Sequence, residues 1–136
     1  MNKFLVDTNV LIRLIVKDDE LKYSAILKLV QKVENNEVTL IVPTVVIAEC
    51  CWLLKSFYKV EKYLISEYLL DIIESENVEA EEDVALEALR LYSQKNVDFA
   101  DALLSMKAKS NIPILTWDKK DFKKLNCEFL TPNDLI

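Results

Sequence analysis

The sequence contains no glycine and no histidine. Without glycine there are no phosphate-cradling loops, no dinucleotide fingerprint and no glycine-flanked nucleophile turn. Without histidine there is no His-based triad, no His-ligated zinc and no ordinary imidazole base. Cysteine is scarce too: Cys50 and Cys51 are adjacent in an apolar stretch and Cys127 stands alone. Three unevenly spaced thiols make neither a disulfide framework nor a zinc site, so they are expected to be small core residues. The longest apolar stretch, Val38 to Ala48, includes Thr39, Pro43 and Thr44 and is too short to span a bilayer. The N-terminus has no signal-peptide pattern, so a cytoplasmic protein without membrane attachment is expected.

What remains is a chain of 136 residues, 51% of them hydrophobic, which suffices for one domain with a true core over residues 1–136. The net charge is −6, from 23 acidic and 17 basic residues, which weighs against nucleic-acid binding as a default. Any catalysis must run on carboxylates, with a hard metal ion as the natural companion.

Strand and helix patterns alternate. Residues 3–7 read as a short strand apolar on both faces, 8–16 and 19–34 as helices, and "VTLIV" as a second strand. Pro43 and Thr44 suit a helix start, with Thr44 as a cap, and that helix runs to about Phe57. Helices are expected over 60–75, 80–94 and "DFADALLSMKAK"; "ILT" is a third strand, "DKKDFKKL" a short helix and "CEFL" a fourth strand. The fold class is α/β, a small parallel sheet flanked by helices.

Four acidic residues stand among apolar neighbours: Asp7 at the end of the first strand, Glu49 in "VVIAECCWLL", Asp101 in "DFADALL" and Asp118 after "PILTW". A buried, unpaired carboxylate costs several kcal/mol. In open parallel sheets the functional crevice lies at the carboxyl ends of the strands, which offers these residues a common place. A divalent cation such as Mg²⁺ or Mn²⁺ relieves their repulsion and can polarise a phosphodiester. Simpler roles compete. Asp98 reads as a helix cap with Asp101 in a box-like arrangement, Asp118 as the cap of the "KKDF" helix, and Asp7 as the cap of the helix that follows it.

The motifs "FLVDTNVLI", "VVIAECCWLL" and "VDFADALLSMKAKSNIPILTWDKKDF", in this order and spacing, resemble those of the PIN-domain family, in particular its VapC-type ribonuclease toxins. The resemblance covers Lys3 to the C-terminus. It implies a PIN-like, three-layer α/β/α domain and a Mg²⁺- or Mn²⁺-dependent endoribonuclease that is the toxin of a type II toxin–antitoxin pair. By position it implies an acidic cluster of Asp7, Glu49, Asp101 and Asp118, with Asp121 as the alternative fourth acid and Asp98 as a fifth. Thr8, Asn9 and Thr116 are the implied supporting residues. It also implies an RNA substrate, a cognate antitoxin and a homodimer, for which Trp52, Phe57, Tyr58, Tyr63 and Tyr68 offer surface. Where the family often has glycine, Asn96 and Asn111 stand here, and asparagine tolerates similar backbone angles.

Lys119, Lys120, Lys123 and Lys124 beside Asp118 are candidates for RNA phosphate contacts, against an ordinary solvated helix face. Two rival functions remain. A haloacid-dehalogenase-like phosphatase needs a second Asp two residues after the first, where this chain has Asn9. A catalytically silent module would use an acidic pocket to capture a basic peptide.

Overall fold

A computed structural model describes residues 2–136. The chain divides into two compact units, Met1–Asp83 and Val84–Ile136.

The first unit contains β1 (Asn2–Leu5), α1 (Thr8–Ile15), α2 (Glu20–Glu34), β2 (Val38–Val42), α3 (Thr44–Ser56), α4 (Lys62–Ile73) and β3 (Val78–Ala80). All three strands are parallel and β2 is central. Parallel neighbours need a crossover, and here each crossover is a pair of helices. Leu5 pairs with Ile41, and the Val6 amide donates to the Ile41 carbonyl at 2.9 Å, so the strand direction carries on to the residue before Asp7. Helix α1 packs on α2 and α3, and α3 on α4. Leu11, Ile47, Cys50, Leu54, Ile65 and Leu69 are fully enclosed in this core.

The second unit contains α5 (Val84–Gln94), α6 (Phe99–Lys107), β4 (Ile114–Leu115), α7 (Lys119–Lys124), β5 (Phe129–Leu130) and a closing 3-10 turn at Pro132–Leu135. Strands β4 and β5 are parallel, and α6 packs on both α5 and α7. Ala85, Ala88, Leu89, Phe99, Ala102 and Phe122 form its core.

The α/β class, the parallel pairing and most elements match the sequence expectations. Three details differ. Strand β3 lies at Val78–Ala80, a stretch too short for alternation to mark and bordered by helical patterns on both sides. Strand β1 is exposed along its length, with Phe4 at 53% and Leu5 at 70%, rather than covered on both faces. Thr44 is not the cap of α3: Pro43 takes that position, the Thr44 amide donates to Glu81 Oε1 at 3.1 Å, and its hydroxyl donates to Glu82 Oε1 at 2.7 Å. Residues 81–82, just past β3, thus satisfy the helix start that proline cannot cap.

The absence of glycine leaves its mark on the backbone. Among the described residues, five have positive φ: Asn36, Lys59, Asn77, Asn96 and Asn126. Four are asparagine, the residue that best replaces glycine in the left-handed region. Asn96 fulfils the sequence expectation; Asn111 is not among them.

Candidate active site

Asp7 sits where β1 hands over to α1. Its carboxylate accepts the Thr8 amide at 2.7 Å, capping the helix. The strand-to-helix turn therefore fixes Asp7, and its second oxygen remains outside that bond. Helix α1 lies against α3, and Asp7, Thr8, Asn9 and Arg13 share a cleft of about 340 Å³ with Glu49, Leu53, Phe57 and Tyr58. Glu49, Leu53 and Phe57 follow one another at four-residue intervals and form one stripe along α3. The Thr8 hydroxyl is buried and has no hydrogen-bond partner among the described residues.

Cys50, next to Glu49 in α3, is fully buried. Burial pushes its thiol up to about 12, with the charges of Glu49 and Asp7 adding to the shift. Cys51 is raised chiefly by burial. Both stay neutral thiols in the core, as the sequence suggested, and neither is a nucleophile near neutral pH.

In the second unit, Asp101 lies in the first turn of α6 and Asp118 caps α7, accepting the Asp121 amide at 3.3 Å. Thr116 orients this turn, its hydroxyl accepting the Asp118 amide at 2.9 Å. The carboxylates of Asp101, Asp118 and Asp121 offer oxygens within 4.8 Å of one another. Burial lifts the Asp101 carboxyl to about 6, with a hydrogen bond to Asp121 and the charges of Asp118, Asp98 and Asp121 adding to the rise. Asp98 is the N-cap residue of α6 but makes no side-chain capping bond, so the box-like arrangement with Asp101 does not form.

The expected burial of the four acids is corrected. Asp7, Glu49 and Asp118 are exposed, and only Asp101 is half-buried. Val6 beside Asp7, Cys50 beside Glu49 and Ala102 beside Asp101 are buried while Asp7 and Glu49 point out, as helix and turn geometry permits, whereas Trp117 before Asp118 is itself exposed. Lys119, Lys120, Lys123 and Lys124 are all exposed on α7, and Lys124 Nζ lies 3.5 Å from the Asn96 carbonyl. Arg13 went unnoticed in the sequence. Its guanidinium meets Asp18 at 2.6 Å and Tyr58 Oη at 3.5 Å, and the acidic pair at positions 18 and 19 was the available signal.

The donor set fits a hard divalent cation. Asp101, Asp118 and Asp121 offer carboxylate oxygens only, and burial together with the neighbouring acids raises the Asp101 carboxyl to about 6. A separate cavity of about 390 Å³ among Leu29, Val33, Leu40, Ile72 and Val78 is mostly aliphatic, and Glu34, Asp71 and Glu76 on its wall do not gather their oxygens as the trio does.

A profile of the PIN domain matches residues 4–126. The chain belongs to the PIN-domain family. It is also 33% identical over 131 residues to a protein named VapC ribonuclease from Aquifex aeolicus (strain VF5), covering 94% of this chain and 96% of that one. No solved structure matches it. PIN membership disposes of the haloacid-dehalogenase alternative, consistent with Asn9 where that chemistry needs Asp. No helix among the described residues is long and apolar enough to cross a membrane.

Proposed function

We propose that this PIN-domain protein is a metal-dependent endoribonuclease of the VapC type, the toxin of a toxin–antitoxin pair, acting as a single domain over residues 1–136. The observation that carries the metal site is the carboxylate trio of Asp101, Asp118 and Asp121, in a chain that has no histidine to share the work. The similarity to a VapC ribonuclease over nearly the whole chain supports the choice of RNA.

Asp7, Glu49, Asp101 and Asp118 are the proposed catalytic and metal-holding residues, with Asp121 and Asp98 contributing charge. When bound, Mg²⁺ or Mn²⁺ supplies Lewis-acid activation of the phosphodiester and of water. The chain's own residues hold the ion, orient it and take up the proton of the attacking water. Thr8, Asn9 and Thr116 keep the carboxylates in place: Thr116 does so through the Asp118 amide, and Thr8 through its amide to Asp7. The exposed lysines of α7 meet RNA phosphates, giving an acidic protein a local basic field. The protein is proposed to work in the cytoplasm and as a homodimer. A basic segment of a cognate antitoxin inhibits it by placing an arginine against the carboxylates.

The test is cleavage of single-stranded RNA by the purified protein with Mn²⁺ or Mg²⁺ and after chelation. Asp7→Asn and Asp101→Asn are expected to reduce cleavage at least 100-fold, roughly the loss when an essential charged group is removed. Asparagine is as good a helix cap as aspartate, so Asp7→Asn stays folded, while Asp7→Ala is less stable by about 1 kcal/mol. Full activity of Asp7→Asn, or cleavage unaffected by chelator, rejects the proposal. A protein that binds a basic peptide in the acidic cleft and never cuts RNA is instead the silent module.

A further inference from the structure

Phe57 is 70% exposed although it is one of the larger apolar side chains of the first unit. It stands at the mouth of the cleft that holds Asp7, Asn9 and Glu49. The ring is not loosely placed. It makes a T-shaped contact with the Tyr58 ring, with centroids 4.9 Å apart and planes at 81°. Tyr58 is tethered in turn, its hydroxyl within 3.5 Å of both Arg13 Nη1 and Asp18 Oδ2. The backbone below is closed off firmly: the amides of Phe57 and Tyr58 donate to the Leu53 carbonyl at 2.9 and 3.1 Å, and Val60 donates to Leu54 at 2.8 Å. Lys59 accepts a left-handed conformation, φ 58°, to make that closure. A largely exposed ring braced by a neighbouring ring is an aromatic platform, and the cleft it lines holds carboxylates proposed to serve phosphodiester chemistry.

We infer that Phe57 is a stacking platform for one nucleobase of single-stranded RNA, placing the adjoining phosphate toward Asp7 and Glu49. This inference rests on the ribonuclease function proposed above and adds a substrate-positioning residue to it. Unpaired bases stack readily on aromatic side chains, and every base offers a flat face, so the contact tolerates many sequences. The cleft's volume of about 340 Å³ falls in the range of small-molecule sites and admits one nucleotide. Arg13, the cation of the cleft, is turned to Asp18, so at this mouth the ring is the feature suited to hold a base. Phe57 is a positioning residue: it acts on the base, not on the reacting atoms.

The test measures binding separately from cleavage. A short single-stranded RNA containing 2-aminopurine is titrated with the full-length protein in chelator, where nothing is cut. Phe57→Ala is expected to raise Kd about 5- to 150-fold, the span that stacking of one base supplies, and to abolish the 2-aminopurine quenching. Phe57→Tyr and Phe57→Trp are expected to restore both, and thermal unfolding checks that all variants are folded. With Mn²⁺ the loss in Phe57→Ala appears mainly in KM. Unchanged affinity in folded Phe57→Ala overturns the inference, as does a loss that neither aromatic variant repairs. Unchanged RNA affinity together with lost self-association of Phe57→Ala overturns it in favour of a second copy seated on the ring. A wild type that cuts RNA but ignores Phe57→Ala refutes the platform alone; one that neither binds nor cuts RNA refutes the ribonuclease function with it.

Discussion

At the scale of the residue, Asp101 carries the clearest electrostatic signature. Its carboxyl is raised to about 6 by burial first and by neighbouring acids second. In an unfolded chain an Asp titrates near 3.9. Between roughly pH 4 and 6 the folded protein therefore binds more protons than the unfolded one, and stability falls as the pH rises through that window. Above it the cost is fully present; below it there is none. In metal-free protein, the difference in Tm between Asp101→Asn and the wild type should grow in favour of the variant from pH 4 to pH 6 and then level off. Melting curves in chelator across that range check this, and a difference independent of pH refutes it. A bound divalent ion opposes the trend, because it favours the ionised carboxylate.

At the scale of the element, the missing glycine governs how helices end. Helix α2 is followed by Asn36 and α5 by Asn96, with α7 closed by Asn126, all at positive φ. The Asn77 side chain donates to Asn36 Oδ1 at 2.7 Å and to the Val33 carbonyl at 3.0 Å, so these two asparagines do more than tolerate the backbone angle. Lys59 has only the strain, which for a residue with a Cβ is about 1–2 kcal/mol. Lys59→Gly is expected to stabilise the protein by roughly 0.5–1 kcal/mol, the strain relief less the entropy cost of glycine. Asn77→Gly is expected to destabilise it by about 1 kcal/mol through the lost side-chain bonds. Urea unfolding midpoints distinguish the two; a stabilised Asn77→Gly refutes the assignment. Elements also show where pattern recognition fails. Strand β3 has three residues, fewer than periodicity needs, whereas the fifteen residues of α2 announce themselves.

At the scale of the whole molecule, a net charge of −6 meets a polyanionic substrate. Net charge offers no long-range attraction, so the proposed binding falls to the few lysines of α7 and to the proposed metal site. With four such lysines, the slope of log K against log salt for single-stranded RNA should be no steeper than about −3. Lys120→Glu with Lys123→Glu should flatten it further. A slope well beyond that, measured by titration between low and physiological salt, places the main phosphate contacts elsewhere. The acidic surface also favours a basic partner segment, which is the chemistry proposed for the antitoxin.

The order of motifs, the lack of histidine and the alternation of strands with helices were legible without coordinates, because they depend on local composition and periodicity. They were enough to name Asp7, Glu49, Asp101 and Asp118 and to expect parallel strands. Packing alone decided that Asp7 and Glu49 share one cleft with Arg13 and Phe57, and that Asp118 and Asp121 both come within reach of Asp101. It also decided that three of the four acids face outward. Contacts across about forty residues arise when α1 docks on α3, and a side chain's exposure follows from what covers it; neither leaves a trace in neighbouring letters.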